Sequence, residues 1–228
     1  MIHWDAPGPY VVAFTTRAGG VSKGGFASLN LGARHDLPER VAENRRRACE
    51  RLGLDPARLC VNRQRHTATV NRAEAGVEGR VGDALWTEES GLPLLALGAD
   101  CLPIAVVTTD GRPAVAVVHA GWRGLAAGVV EAAVRALGSG STAGVIGPAI
   151  GPCCYEVGNA VAARFDPDLT TGRMLDLWRA GERALQRAGV GRIERLDLCT
   201  SCYPELFFSH RRDGTRRGTH GVLGAVQR

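Results

Sequence analysis

A mixed fold, α/β or α+β, is predicted for this 228-residue chain from three observations. Apolar runs of strand length fill its middle, stretches with helical spacing flank them, and glycine or proline punctuates the junctions. The first run, Tyr10-Val-Val-Ala-Phe-Thr-Thr16, reads as a strand that opens into the glycine-rich loop Arg17-Ala-Gly-Gly-Val-Ser-Lys-Gly-Gly-Phe26. Residues 38–52 read as an amphipathic helix, with Val41, Ala48 and Leu52 on the apolar side and Arg45, Arg46 and Arg47 mostly on the solvated one. Residues 92–97, 102–108 and 114–118 alternate little between apolar and polar, as strands covered on both faces do. Residues 121–137 read as one helix ended by Gly138-Ser-Gly140, residues 143–146 as a strand, and Gly147-Pro-Ala-Ile-Gly-Pro152 as irregular. Helices over 158–165 and 175–189 and a strand over 193–198 complete the pattern. Periodicity alone does not separate α/β from α+β.

Composition excludes several classes. With 45% hydrophobic and 22% charged residues the chain is neither collagen-like, coiled coil nor disordered, and its length suffices for a substantial core without staples. No repeat or low-complexity linker appears, so one domain over 1–228 is expected. The longest apolar stretch, residues 92–108, is broken by Asp100 and falls short of the roughly 18 residues a membrane helix needs. The opening Met1-Ile-His-Trp-Asp-Ala-Pro7 lacks the order of a signal peptide, and a cytoplasmic protein without membrane association is expected. The net charge is +5, carried almost wholly by arginine, Lys23 being the only lysine. Arginines are mixed with acids, as over residues 39–50, and aromatics are only 5%, too sparse to interleave as stacking platforms. Nucleic-acid binding is therefore kept as the non-enzymatic alternative.

Two segments carry the densest chemistry: Ala99-Asp-Cys-Leu-Pro103 and Val118-His-Ala-Gly-Trp-Arg-Gly124. Each puts a metal-competent side chain, Cys101 or His119, beside small residues at the end of an apolar strand. His66, in Asn62-Arg-Gln-Arg-His-Thr-Ala-Thr69, is a third candidate. Two histidines and a cysteine make a three-ligand zinc set with a fourth position open to substrate. Spacing alone leaves this set, and one buried thiol with two unrelated surface histidines, both open. Seven cysteines with no export signal are expected to stay reduced and mostly inert. Cys199-Thr-Ser-Cys202 has the gap of a zinc knuckle or redox pair but no second such pair, and Cys153-Cys154 could supply ligands only awkwardly. All four are expected to be core or surface thiols. His3, His35 and His220 are expected at the surface; His210 is a candidate for lining a site, with a packed position preferred.

Thr15-Thr-Arg-Ala-Gly-Gly-Val-Ser22, Ser28-Leu-Asn-Leu-Gly32, the two segments above, Ile146-Gly-Pro-Ala-Ile-Gly151, Tyr155-Glu-Val-Gly158 and Phe207-Phe-Ser-His-Arg-Arg-Asp-Gly214 together resemble the YfiH family, in order over nearly the whole chain. Its members have been called laccase-domain proteins, polyphenol oxidases, purine nucleoside phosphorylases and peptidoglycan editing factors. The resemblance implies a single-domain layered α/β/β/α fold and a zinc held by His66, Cys101 and His119. Two departures stand out: Gln64-Arg-His-Thr67 where the family usually has Gln-Val-His-Gly, and Thr215-Arg-Arg-Gly218 in place of Thr-Gly-Arg.

Multicopper oxidation is excluded by ligand count. Six histidines with no His-x-His pair cannot build a trinuclear cluster, although one copper can take the His/Cys site, since copper outranks zinc in intrinsic affinity. The resemblance instead implies phosphorolysis of adenosine, inosine and methylthioadenosine, with adenosine deamination as a side activity. Arg17, in its glycine-rich loop, is the phosphate candidate, with Arg123 a second anion contact near a helix N-terminus. Asp100 is the candidate general base or a partner of a metal ligand. Asn30 and Gln64 are candidates for orienting substrate. A zinc hydrolase editing peptidoglycan precursors is the alternative enzyme.

Overall fold

Apolar side chains at both parities of the central strands demand cover on both faces. The structure, a computed structural model describing residues 1–227, supplies it with two stacked sheets and a helical layer outside each. In chain order the strands are β1 (Ile2–Trp4), β2 (Tyr10–Phe14), β3 (Cys60–Arg63), β4 (Val70–Arg72), β5 (Glu78–Val81), β6 (Ala84–Thr87), β7 (Leu94–Gly98), β8 (Leu102–Thr108), β9 (Val115–Ala120), β10 (Thr142–Ile146), β11 (Thr170–Thr171), β12 (Met174–Leu175), β13 (Arg192–Arg195) and β14 (His220–Val226). The α-helices are α1 (Pro38–Glu50), α2 (Trp122–Ala126), α3 (Val129–Ala136), α4 (Asn159–Ala162), α5 (Leu177–Arg187) and α6 (His210–Asp213). One sheet runs β1-β2-β14-β7-β3-β5 and the other β13-β10-β8-β9-β6-β4, with β11 and β12 forming a small separate ladder.

β8 shows how the layers arise. Leu102, Ile104 and Val106 enter the cluster under α2, α3 and α5, while Ala105 and Val107 enter the seam between the sheets. β14 does the same in the facing sheet: Val222 and Val226 meet the seam, and Leu223 and Ala225 pack with Ala48 and Cys49 of α1. This two-residue alternation makes an α/β/β/α stack from strands that are apolar throughout. Each fully buried aliphatic side chain contributes about 1.5–3 kcal/mol.

Local rules fail where glycine or polarity intervenes. The single helix predicted over 121–137 is divided at Gly128, whose φ of +81° is a conformation that only glycine adopts cheaply. The helix predicted over 158–165 shrinks to α4, and the strand over 193–198 to β13. β3 to β6 and β14 have no counterpart in the sequence reading. β5 is exposed along its length at a sheet edge, so it carries no apolar pattern to read. Among the described residues no helix is long and apolar enough to cross a membrane.

Candidate metal centre and its cavity

β8 and β9 pair antiparallel with Leu102 opposite Ala120 and Pro103 opposite His119, so Cys101, one residue before β8, meets the end of β9. His66 arrives from the loop between β3 and β4. The donor atoms of His66, Cys101 and His119 all lie within 4.8 Å of one another, with Cys101 Sγ 3.8 Å from His66 Nε2. His119 is buried and His66 exposed, so the cluster opens on one side. His66 and Asp100 both have positive φ, +60° and +93°, conformations uncommon outside glycine that concentrate at functional sites.

Asp83, only 1% exposed, fastens the cluster. Its Oδ1 lies 2.8 Å from His119 Nδ1 and accepts the His66 backbone N–H at 2.9 Å. Its Oδ2 accepts the backbone N–H groups of Arg65 (3.1 Å) and Thr67 (2.7 Å) and the Thr67 hydroxyl (2.8 Å). Burial opposes its ionisation, yet these donors hold its pKa well below the usual carboxylate range. With Nδ1 turned to this carboxylate, His119 presents Nε2 to the cluster. Burial likewise opposes the Cys101 thiolate, but His119 and His66 bring that thiol down to about 6. Burial disfavours charged His119, while Cys101 and Asp83 raise it to about 9.

The donor set suits zinc. Zn–S and Zn–N bonds of about 2.3 and 2.0–2.1 Å put neighbouring ligands roughly 3.5 Å apart, near the separation already present. The backbone leaves this space by using glycine at position 121, where a Cβ would come within 2.8 Å of Cys101 Sγ and His66 Cδ2.

The cluster forms one wall of a cavity of about 540 Å³. Trp122, Ile150, Tyr155 and Leu177 give it an apolar side, and Arg34, Arg123, Arg211 and Arg217 surround it with positive charge. Asp100 is the only carboxylate lining it among the described residues. Arg217, in the departing Thr215-Arg-Arg-Gly218 segment, lines the cavity, and its Nε is buried with no hydrogen-bond partner among the described residues. Burial raises the Tyr155 phenol to about 12.

The other expected site residues divide. Arg123 lines the cavity with its guanidinium stacked over Trp122. Gln64 also lines it, but its amide is paired with the backbone N–H and carbonyl of Leu97 at 2.7 and 2.6 Å. Arg17 is not among the lining residues. It donates to the carbonyls of Ala27 (2.8 Å) and Pro204 (2.7 Å) and stacks over Phe208. Asn30 is buried and ties Gly32, Asp36 and Thr219 together. Asp100 accepts from Thr200 Oγ1 and the Arg211 backbone N–H, both at 2.7 Å, so both its oxygens are engaged.

Two further expectations are corrected. His210 is exposed and lines the cavity. His220 is buried, because β14 turns its ring toward Phe207 and Phe208. Cys153, Cys154, Cys199 and Cys202 are free thiols at the core or the surface, as expected, and their sulfurs converge within 4.8 Å of one another.

Known proteins resemble the whole chain. Residues 11–226 match the family model described as multi-copper polyphenol oxidoreductase laccase. A purine nucleoside phosphorylase of Pseudomonas aeruginosa is 40% identical over 98% of this chain and 96% of its own. The crystal structure of YlmD from Geobacillus stearothermophilus superposes with a TM-score of 0.90 at 34% identity, covering 99% of this chain and 94% of that one. The crystal structure of the hypothetical protein YfiH from Bacillus licheniformis gives 0.87 at 29% identity, over 98% of each chain.

Proposed function

Because the chain belongs to the YfiH family of laccase-type proteins, we propose that it is a purine nucleoside phosphorylase acting in the cavity beside His66, Cys101 and His119. One observation carries the reading: among the described residues Arg34, Arg123 and Arg217 line the cavity beside Arg211, whose guanidinium is given to the carbonyls of Cys154 and Glu156, against a single carboxylate whose oxygens are already hydrogen-bonded. That surplus suits a phosphate nucleophile. Arg217 is its principal contact, since it lines the cavity and a guanidinium binds phosphate through charge-assisted hydrogen bonds. Arg17 is spent on backbone carbonyls and serves the fold.

Trp122 and Tyr155, with Ile150 and Leu177, offer the flat apolar surface that a purine needs. Phosphate attacks ribose C1′, the bond from C1′ to the purine breaks, and the departing base takes up a proton. Tyr155, kept a phenol by burial, can donate a hydrogen bond to that base. His66, Cys101 and His119 would hold a zinc, which would supply a Lewis acid, and the same donors would also suit copper. Asp83 orients His119, and Asp100 is a positioning residue that holds Thr200 and the start of α6 rather than a free general base. Adenosine, inosine and methylthioadenosine are the proposed substrates, with adenosine deamination as a side reaction in which water attacks C6 of the base and ammonia leaves.

The test is chromatographic product analysis with and without phosphate. Adenosine and inosine should yield base and ribose 1-phosphate only when phosphate is present. Arg217→Met should raise the phosphate requirement roughly tenfold to a hundredfold, as loss of a hydrogen bond to a charged group costs about 1.5–3 kcal/mol. Cys101→Ala should abolish turnover. Base release that ignores phosphate would point to a hydrolase, and turnover of peptidoglycan precursors without any of nucleosides would move the assignment to the editing amidase.

A further inference from the structure

We propose that Cys153, Cys154, Cys199 and Cys202 form a second metal site, a closed zinc tetrathiolate separate from the cluster of His66, Cys101 and His119. All four sulfurs lie within 4.8 Å of one another, with Cys202 Sγ 3.6 Å from that of Cys153 and 3.5 Å from that of Cys154. Zinc–sulfur bonds of about 2.3 Å define a tetrahedron whose edges are roughly 3.8 Å, so the four thiols already have the spacing of a ligand shell.

The backbone explains how an adjacent pair and a Cys-x-x-Cys pair come to share one centre. An isolated bridge between Ala149 and Cys199 lays the two segments side by side, with Ala149 N–H donating to Leu198 O and Thr200 N–H to Ala149 O, both at 3.1 Å. Residues 152–154 form a turn, in which Cys154 and Tyr155 N–H both reach Gly151 O at 3.0 Å. In a strand, neighbouring side chains would diverge to opposite faces; in this turn both sulfurs approach Cys202. On the other segment, Cys202 and Tyr203 N–H both donate to Cys199 O at 3.2 Å, bringing Cys202 back over Cys199.

One of the four sulfurs already accepts a backbone donor. Gly151 N–H donates to Cys199 Sγ at 3.3 Å. Zinc with four thiolates carries a net charge of about −2, and two cations sit against the ligand segments. Arg212 Nη1 donates to the carbonyls of Thr200 and Ser201, and Arg211 Nη1 to that of Cys154. A disulfide would join two of these sulfurs and leave the other two without a reason to converge.

Four protein ligands leave no position for substrate, so the site is structural. It staples together two walls of the cavity. Tyr155, which lines the cavity, follows Cys154 directly. Thr200, between the other two ligands, donates to Asp100 next to Cys101.

Metal counting by native mass spectrometry and elemental analysis, on full-length protein purified with reductant, tests the site. A zinc equivalent should survive in Cys101→Ala and disappear when Cys202→Ser or Cys153→Ser, both exposed positions, is added. Cobalt-substituted Cys101→Ala needs no change at the four cysteines, and should show the tetrahedral ligand-field bands and intense sulfur-to-metal charge transfer of a tetrathiolate. Metal-free Cys101→Ala with four freely alkylated thiols, a disulfide among these cysteines in the reduced preparation, or unchanged metal content after both serine substitutions would overturn the proposal.

Discussion

Replacing Asp83 with asparagine keeps the shape of the side chain and removes an acceptor where the fold supplies only donors. Oδ2 receives the backbone N–H groups of Arg65 and Thr67, and Oδ1 that of His66 beside His119 Nδ1. An amide nitrogen in either place cannot accept. If it takes the Oδ2 position, two backbone N–H groups lose a charged acceptor at about 1.5–3 kcal/mol each, and the Thr67 hydroxyl must turn. The metal-free Asp83→Asn protein should therefore be less stable by on the order of 3 to 5 kcal/mol. Loosening of His66 and His119 should also weaken zinc binding by roughly tenfold to a hundredfold, the usual cost of losing a carboxylate behind a histidine ligand. Urea unfolding of the metal-free protein measures the first effect, and competition with a chromogenic zinc chelator the second. Wild-type values in both assays would refute the claim that this carboxylate builds the site. A stability loss with intact zinc affinity would confine Asp83 to holding the loop.

Gly121→Ala should disturb the site more than the fold. Backbone φ at this residue is −75°, acceptable to alanine, but the new methyl would press on Cys101 and His66, so zinc affinity should fall at least about tenfold at a stability cost of about 1–3 kcal/mol. Unchanged chelator competition in a folded variant would show that the two ligands yield freely. His220 should create acid sensitivity, because burial lowers its pKa to about 4. The unfolded chain takes up this proton near pH 6.5 and the native protein does so only near pH 4, so stability falls as pH drops through that window. The loss is about 1.4 kcal/mol per pH unit, or roughly 2 kcal/mol between pH 6.5 and 5. His220→Leu should flatten the slope by one proton in urea titrations across this range; an unaltered slope would mean that His220 is already charged in the native state.

By itself the sequence determined what depends on near neighbours in the chain. The unbroken apolar run of β8 marks a strand covered on both faces, and β8 occupies residues 102–108 as predicted. Spacing left His66, Cys101 and His119 open as a set, and the surrounding motifs, which resemble one family, joined them. Gly128 was visible, but its left-handed φ was not, since glycine is also tolerated inside a helix. Only the tertiary structure decided which charged groups face the cavity: Arg217 does, whereas Arg17 turns to the carbonyls of Ala27 and Pro204. Asp83 carried no signal, standing 36 residues from His119 in a segment without a motif. Cys153 and Cys202, 49 residues apart, read as unrelated thiols until the bridge between Ala149 and Cys199 drew their segments together. Periodicity and turn chemistry report on a few successive residues. The partners of a buried carboxylate or thiol are set by which strand ends the layered sheets bring together, and that is a property of the whole chain.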